Sequence, residues 1–377
     1  MELQYYTFNE TWNKNLDTSL NSAQTLVIVF GSSHVEKVKQ PLQEIAAAFP
    51  DSIIIGASTS GEIVMDELKD DSVVVTVLKF HSTQVKLVTA QIQSAKDSFN
   101  IGKNLATSLQ DDDLKSIFIL SDGLKINGSG LTNGFNDVIN SDVVMSGGLA
   151  GDAADFTATW VIVNNQALSG YVTAIGLYGD KIHVDYGSEG GWDIFGIQRN
   201  VTKSTDNIVY ELDGQPILDI YKKYLGSQAK DLPASGLLFP LGIYSNDDNI
   251  IVRTILAIDE EEKSITFAGD VPTNSKVCLM KSNNDRLIDA ALNSSNAVDL
   301  KGYQDEPLLN IAISCIGRKL VLKQRAEEEL EAILENLPKT TVQVGFYSYG
   351  EISPTGLIGC DLHNQTMTLT TIWESDA

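Results

Sequence analysis

The stretch IGASTSGEI at residues 55–63 has a counterpart near the other end of the chain, VGFYSYGEI at residues 344–352. Both read as an aliphatic residue followed by G-x-x-x-x-G-E-I. The neighbouring segments repeat as well, because each stretch extends a β-branched run that follows a proline, a helical segment and an earlier apolar run. The repeated unit is therefore predicted to be strand, helix, strand and glycine loop. Loops at the carboxyl ends of strands in α/β sheets are where ligands usually bind.

Further segments predict an α/β protein with mixed sheets. Residues 73–78 and 85–92 are typical of strands, and we expect these two strands to pair antiparallel. Closely spaced strands over residues 160–186 are separated by Asn164-Asn165 and Gly179-Asp180, which are turn sequences typical of hairpins. One continuous helix is predicted over residues 320–337.

Length and composition limit the class of protein. A chain of 377 residues suggests two domains, and the polar stretch 198–207 places them at residues 1–200 and 201–377. An apolar share of 43% is enough for a packed core. The 27 basic and 50 acidic residues give a net charge of −23, which repels nucleic acids and anionic membranes. We therefore expect neither as a partner.

Cysteine usage and hydropathy indicate a cytoplasmic protein. Cys278, Cys315 and Cys360 form no C-x-x-C pair, which fits a reducing compartment. No apolar run approaches the ~18 residues of a membrane span. The first residues lack the basic and apolar regions of a secretory signal.

Six motifs in a fixed order resemble those of the FIST sensory family. They are G-A-S-T-S-G-E-I at 56–63, G-G-L-A-G-D at 147–152, V-T-K at 201–203 with E-L-D-G-Q-P at 211–216, C-x-x-R at 315–318, G-F-Y-S-Y-G-E-I at 345–352 and L-H-N-Q-T at 362–366. The resemblance spans nearly the whole chain. It assigns one strand-helix-strand unit with its G-x-x-x-x-G-E-I loop to each of two FIST halves. The segment 191–196 departs from the family because members often carry a proline before its second glycine.

This resemblance implies a sensor rather than a catalyst. FIST domains are regarded as sensors of small ligands in signal transduction, and amino acids are proposed ligands. Because the two halves use up the chain, the resemblance implies signalling through a separate partner, a histidine kinase or a cyclic-dinucleotide enzyme. Some stand-alone bacterial members are haem proteins that sense nitric oxide, so haem with a diatomic gas as the signal is a second expectation.

The glycine loops and the family motifs together predict the ligand site. Its residues are Ser58, Thr59, Gly61, Glu62, Gly148, Asp152, Arg318, Tyr349 and Glu351. Glu62 and Glu351 are expected at similar strand ends, where each either contacts the ligand or caps a nearby turn. Tyr349 either stacks on a flat ligand or packs in the core. Arg318 either clamps a ligand carboxylate or pairs with Glu351.

Haem would need an axial ligand such as histidine. His183 and His363 are the candidates for the haem iron. His183 shares a face of its predicted strand with Lys181 and Asp185, which points to solvent or a pocket. His363 lies in a family motif, where a hydrogen bond to the backbone near Glu351 is the alternative role.

Two other classes of function stay open. One is an enzyme, perhaps a hydrolase, that uses Glu62, Glu351 or Cys315. Arg318 and a helix start near Cys315 would favour its thiolate, whereas the surrounding apolar run favours a buried thiol. No Ser-His-Asp order or metal-ligand spacing supports the enzyme, and no residue is assigned as catalytic. The other class is an adaptor that binds no ligand.

Overall fold

The computed structural model describes residues 1–244, 250–355 and 359–375. Within these ranges the chain forms seven α-helices and 28 strands, which confirms the α/β class with mixed sheets. The helices are α1 (Val35–Ala48), α2 (Ser98–Leu109), α3 (Gly128–Asn136), α4 (Ile217–Leu225), α5 (Asn284–Asn296), α6 (Ile316–Leu322) and α7 (Ala326–Asn336).

The first fourteen strands lie within residues 2–189. They are β1 (Glu2–Asn9), β2 (Thr11–Trp12), β3 (Thr25–Ser32), β4 (Ile53–Thr59), β5 (Glu62–Val64), β6 (Glu67–Lys69), β7 (Val73–Lys79), β8 (Gln84–Gln91), β9 (Leu114–Ser121), β10 (Val144–Leu149), β11 (Val161–Val163), β12 (Gln166–Leu168), β13 (Tyr171–Tyr178) and β14 (Ile182–Glu189).

The remaining fourteen strands lie within residues 193–374, and some of them form a separate sheet. These strands are β15 (Asp193–Ile194), β16 (Arg199–Thr205), β17 (Ile208–Leu212), β18 (Gln215–Pro216), β19 (Leu241–Tyr244), β20 (Ile250–Arg253), β21 (Ile255–Asp259), β22 (Ser264–Phe267), β23 (Lys276–Lys281), β24 (Leu308–Cys315), β25 (Thr341–Ser348), β26 (Gly350–Pro354), β27 (Cys360–His363) and β28 (Met367–Glu374).

Three of the sheets share one topology. Their strand orders are β12-β11-β4-β3-β7-β1-β2 in the first sheet, β27-β26-β10-β9-β13-β8 in the second and β6-β5-β25-β24-β28-β14 in the third. Each contains one parallel pair, β3–β4, β9–β10 or β24–β25, and an antiparallel strand beside the first member of that pair. The chain is therefore built from three equivalent units, residues 2–79, 84–178 and 182–374.

Each unit gives a hairpin to another unit's sheet. The hairpin β5–β6 of the first unit pairs with β25 of the third, and β26–β27 of the third pairs with β10 of the second. The hairpin β11–β12 of the second unit returns to β4 of the first and closes the ring. The loops that follow β4, β10 and β25 are thus the crossing points between sheets.

The core lies between the inner faces of the three sheets. Phe30, Phe118 and Phe346 contribute to it from the first, second and third sheet, and the rings of Phe30 and Phe346 are 4.7 Å apart. Separate apolar clusters lie under α1, under α2 and α3, and under α5 and α7. Burying each large apolar side chain stabilises the fold by about 1.5–3 kcal/mol. The three sheets consequently share one interior.

The third unit carries an insertion between β14 and α5. Strands β15–β23 form a fourth sheet of order β20-β19-β23-β16-β17-β22-β21, in which β15 pairs with β23 and β18 with β17. Helix α4 begins after Pro216, ends at Gly226 and packs on this sheet with its own apolar cluster. We call residues 193–281 the inserted domain.

Two of the expected strand pairings are wrong. Strand β7 pairs with β3 and β1, whereas β8 pairs with β13, so residues 73–78 and 85–92 do not pair with each other. The turn at Asn164-Asn165 does join a hairpin, but Gly179-Asp180 connects β13 and β14 in different sheets. In both cases a short connection links two different units. The predictions failed because strand periodicity does not specify which strand is the partner.

The helix expected over residues 320–337 is two helices. Helix α6 ends at Leu322, the next residue Lys323 has a φ of 55° in the left-handed region, and α7 begins at Ala326. The division into residues 1–200 and 201–377 remains a prediction. Strands from both sides of residue 200 share the third sheet.

Candidate functional site

The two glycine loops occupy equivalent crossing points. Each follows the second strand of a parallel pair, β4 or β25, and leads into the hairpin that joins another sheet. A Cβ atom at Gly56 would lie 2.2 Å from the carbonyl oxygen of Val29, and one at Gly345 would lie 1.7 Å from that of Ala312. The first glycine of each motif is therefore required for close strand packing.

Glu62 and Glu351 accept the same set of hydrogen bonds. The Thr59 hydroxyl and the backbone N–H and hydroxyl of Ser72 donate to Glu62, the latter two at 3.0 and 2.7 Å. The Ser348 hydroxyl donates to Glu351 at 2.6 Å, and the backbone N–H and hydroxyl of Thr366 donate at 3.1 and 2.8 Å. Each glutamate thus joins a crossing loop to the residue that precedes the last strand of its unit.

A third carboxylate binds the residues before the last strand of the second unit, but it comes from a different loop. Asp122 accepts hydrogen bonds from the Ser169 hydroxyl at 2.9 Å and from the Gly170 N–H at 2.8 Å, directly before β13. It follows β9, whereas the two glutamates follow the second strand of their pairs. Sequence reasoning missed this equivalence because the carboxylate comes from a different strand and the G-E-I pattern is absent there.

Burial dominates the electrostatics of both glutamates. It raises the pKa of Glu62 from its ordinary value of 4.5 to about 7, against the opposing hydrogen bonds from Thr59 and Ser72. It raises the pKa of Glu351 to about 7 in the same way. These contacts are those of the capping role, and direct contact of either glutamate with a ligand stays a prediction.

Tyr349 and Asp152 meet at the crossing point after β10. The Tyr349 hydroxyl donates to Asp152, which also accepts backbone N–H groups of Phe156 and Thr157 at 3.0 and 2.7 Å. The ring of Phe156 stacks on Tyr349 with centroids 4.9 Å apart. One face of Tyr349 is consequently covered by the protein itself.

The other residues of the predicted site are buried in the same region. Gly148 is opposite Glu351 in the β10–β26 pairing. The Ser58 hydroxyl accepts the N–H of Trp160 at 3.1 Å, and Gly61 has a φ of 137°. The structure therefore brings the strand-end residues together as a packed junction, and their binding of a ligand stays a prediction.

Arg318 belongs to a different cluster. Its guanidinium donates to Glu329 at 2.7 and 3.1 Å and to the carbonyl oxygens of Gly190 and Leu287 at 2.6 and 2.7 Å. Both charged side chains are fully buried. The expected pairing of Arg318 with Glu351 is wrong, because Glu329 on α7 provides the carboxylate. Its role as a clamp for a ligand remains a prediction.

The two candidate haem ligands differ in their surroundings. His183 is partly buried, and its ring stacks on Trp373 with centroids 5.1 Å apart. The Nε2 atom of His363 is 3.2 Å from the carbonyl oxygen of Ser353, close to Glu351 in the chain as the alternative role expects. Burial lowers the pKa of His363. Among residues 1–244, 250–355 and 359–375, no group of three or more His, Cys, Asp or Glu is arranged to hold a metal ion.

The cysteines do not resemble activated nucleophiles. Cys315 and Cys360 are buried, and burial raises the pKa of both thiols, that of Cys360 to about 12. A nucleophilic cysteine needs a lowered pKa, so these surroundings do not favour the thiol-enzyme alternative, which stays open. In the part of the chain that the structure describes, no helix is long and apolar enough to cross a membrane.

A groove that sequence reasoning missed separates the inserted domain from the three-unit core. Its volume is about 450 Å³, within the range of small-ligand sites. The core contributes Ser129 and Asn133 from α3 and Asp361 from β27, and the inserted domain contributes Arg253 and Asp270. These residues lie far apart in the chain and in none of the family motifs. The nearest sequence signal is the L-H-N-Q-T motif, which begins next to Asp361.

Arg253 is the buried charge of this groove. It is 4% exposed and donates to the carbonyl oxygens of Leu362 at 2.8 Å and Asp270 at 3.2 Å, and to the Ser129 hydroxyl at 3.4 Å. All three acceptors are neutral, and no carboxylate of the described residues lies within 4.0 Å of the guanidinium nitrogens. Burial lowers the pKa of Arg253, whereas Asp361 and Asp270 act in the opposite direction.

The L-H-N-Q-T motif connects the groove to the crossing loops. The carbonyl oxygen of Leu362 binds Arg253, and the Asn364 side chain accepts the N–H of Thr254 and donates to the carbonyl oxygen of Tyr349 at 3.4 Å. Two residues later, Thr366 binds Glu351. Residues 362–366 therefore contact Arg253 at one end and Glu351 at the other.

Comparison with known proteins gives matches over most of the chain. The FIST N domain matches residues 25–215, and the FIST C domain matches residues 218–354. The chain is also similar to an uncharacterized protein from Methanocaldococcus jannaschii, with 24% identity over 90% of this chain and 72% of that protein.

Proposed function

This chain belongs to the FIST family of small-ligand sensing domains, and on that premise we propose that it is a cytoplasmic sensor of a free amino acid. The amino acid binds in the groove between the inserted domain and the core. The signal passes to a separate partner protein, a histidine kinase or a cyclic-dinucleotide enzyme. The observation that supports the ligand site most directly is the buried guanidinium of Arg253, which has only neutral hydrogen-bond partners among the described residues.

The charges of the groove match a zwitterion. A buried guanidinium whose hydrogen-bond acceptors are all neutral is costly, and an incoming carboxylate gives it a directly bonded charged partner. Asp361 and Asp270, which line the same groove, provide negative charge for an ammonium group. An α-amino acid carries both groups within a molecule that 450 Å³ accommodates.

Signalling requires that the ligand bind one conformation of the protein better than another. Arg253 donates hydrogen bonds to Leu362 in the core and to Asp270 in the inserted domain. A ligand carboxylate that binds Arg253 therefore competes with the two hydrogen bonds that join these parts. The segment 362–366 then carries the change toward Glu351 and Tyr349. We expect ligand to slow hydrogen exchange in this segment.

The test is a calorimetric and thermal-shift screen with the twenty amino acids, each beside its amide and its N-acetyl derivative. Arg253→Met should weaken binding by roughly 30-fold or more, because removing one partner of a buried charge pair costs about 2–5 kcal/mol. The amide lacks the carboxylate, so it should bind the unaltered protein more weakly than the free amino acid does. The Arg253→Met protein should bind the amide and the free amino acid with equal affinity.

Arg325→Met is the matched control, because Arg325 pairs with Glu328 and Asp285 on the surface, away from the groove. It should leave affinity unchanged. Binding that survives Arg253→Met would overturn the groove as the site. Absence of any thermal shift across the panel would favour an adaptor that binds no ligand.

A narrower proposal is haem-based sensing of a diatomic gas such as nitric oxide. His183 is its first candidate, because no described residue hydrogen-bonds its ring, whereas Nε2 of His363 already contacts Ser353. The fit to haem is poor, since neither histidine lines the groove and the ring of His183 is stacked on Trp373. Haemin titration should give a Soret band that His183→Ala removes and His363→Ala retains. A spectrum identical to that of free haemin would end this proposal.

A further inference from the structure

The inserted domain has a concentrated apolar surface. Among the described residues, three of the five large exposed apolar side chains fall within residues 194–197. They are Ile194, Phe195 and Ile197, and Ile197 is 63% exposed. Phe195 packs edge-on against Tyr224 of α4, with centroids 6.3 Å apart. We call Ile194, Phe195, Ile197 and Tyr224 the apolar patch.

The patch borders a crevice between α4 and the inserted sheet. Ile197 and Tyr224 line the crevice, whose floor includes Tyr221 and Cys278. Its internal space is about 10 Å³, roughly the size of one water molecule. The buried Tyr221 hydroxyl has no hydrogen-bond partner among the described residues. The interior is therefore too small for a small-molecule ligand.

The charge around the patch differs from that of the rest of the protein. The crevice lining includes Arg199 and, among described residues, neither Asp nor Glu, whereas three other cavities each contain at least two aspartates. Lys281 lies over the ring of Phe195, 4.7 Å from its centroid, and forms no ion pair with a described carboxylate. The two nearby aspartates, Asp193 and Asp213, are already paired with Arg286 and Arg199.

We propose that the apolar patch is a docking site for an acidic amphipathic helix of a partner protein. The apolar face of the helix covers Ile194, Phe195 and Ile197, and its acidic residues meet Lys281. A second copy of this chain is disfavoured because it would bring another net charge of −23 to the contact. No residue lines both this crevice and the amino-acid groove, so the proposal goes beyond ligand sensing and does not require it.

The experiment measures fluorescence anisotropy of a labelled helical peptide with leucine at i, i+3, i+4 and i+7 and glutamate on its other face. A second peptide has the same leucines and lysine in place of glutamate. The acidic peptide should bind more tightly, although the −23 charge of the protein favours the basic one. Ile197→Asp and Phe195→Ser should each weaken the acidic peptide about tenfold or more. Lys281→Glu should weaken it and improve binding of the basic peptide.

The controls are matched in exposure and charge. Phe99 and Phe195 are both 39% exposed, so Phe99→Ser removes an equal apolar side chain elsewhere. Lys39→Glu makes the same charge change on α1. Neither should alter affinity, and all variants should keep the melting temperature of the unaltered protein.

Four results would overturn the docking site. Two concern the peptides: tighter binding of the basic peptide, or binding of the acidic peptide that Phe195→Ser leaves unchanged. The third is competition by dodecanoate, below its micelle concentration, that equals competition by the unlabelled acidic peptide. The fourth is a dimer in sedimentation that Ile197→Asp dissociates. Because the assay contains no amino acid, its failure is distinguishable from failure of the sensing proposal.

Discussion

Replacing Arg318 by methionine is expected to lower the free energy of unfolding by about 3–5 kcal/mol, because it leaves the buried carboxylate of Glu329 without its positive partner. Glu329 is fully buried and would retain only the hydroxyls of Tyr347 and Ser314, at 2.6 and 3.0 Å. The carbonyl oxygens of Gly190 and Leu287 would also lose their donors. Urea denaturation monitored by tryptophan fluorescence measures the change.

Two further variants identify the cause of this loss. Arg325→Met removes a surface arginine that pairs with Glu328 and should have a far smaller effect, because solvent screens exposed pairs. The double variant Arg318→Met/Glu329→Gln removes both charges and should be more stable than Arg318→Met alone. A double variant no more stable than Arg318→Met would show that lost packing, rather than an unpaired charge, causes the effect.

Protonation of Glu62 and Glu351 favours the folded state, so their contribution to stability is expected to fall as pH rises from about 5 to 8, whereas the lowered pKa of His363 acts in the opposite direction. The folded pKa of each is about 7, above the ordinary value of 4.5. The folded protein therefore holds these protons more tightly than the unfolded chain, and their contribution is complete below pH 4.5 and lost as pH rises through 7. The shift corresponds to about 3 kcal/mol for each glutamate.

Glutamine at either position should reduce this pH dependence. In Glu62→Gln the amide oxygen can still accept from Ser72, and the amide nitrogen can donate to the Thr59 hydroxyl. Glu351→Gln can keep the same pattern with Thr366 and Ser348. Free energies of unfolding from urea titrations between pH 5 and 8.5 should decline less steeply for both variants, and least for the double variant.

Glu331→Gln on the exposed face of α7 is the matched control, because it removes the same formal charge without removing a buried carboxyl group. Its curve should run parallel to that of the unaltered protein. Parallel curves for Glu62→Gln and Glu351→Gln as well would contradict the assignment of the pH dependence to the two glutamates.

The repeated sequence pattern predicted one property of the predicted site correctly. Glu62 and Glu351 do lie at similar strand ends, because the strand, helix and turn preferences that place them are local and recur in both segments. The sequence did not predict the hydrogen-bond partners of the site residues. Ser72 and Thr366 hydrogen-bond the glutamates from 10 and 15 residues away, and the partner of Arg318 lies on α7, beyond the break in the helix that was expected to be continuous over residues 320–337.

The sequence by itself determined the α/β class, the strand-helix-strand units around the two glycine loops, and membership of a sensory family, since these depend on short-range periodicity and on motifs within single segments. Only the tertiary structure decided that there are three units, that each gives a hairpin to another sheet, and that Arg253, Ser129, Asp270 and Asp361 share a groove. Strand partners and cavity walls depend on hydrogen bonds and packing between segments far apart in the chain, which local patterns do not specify.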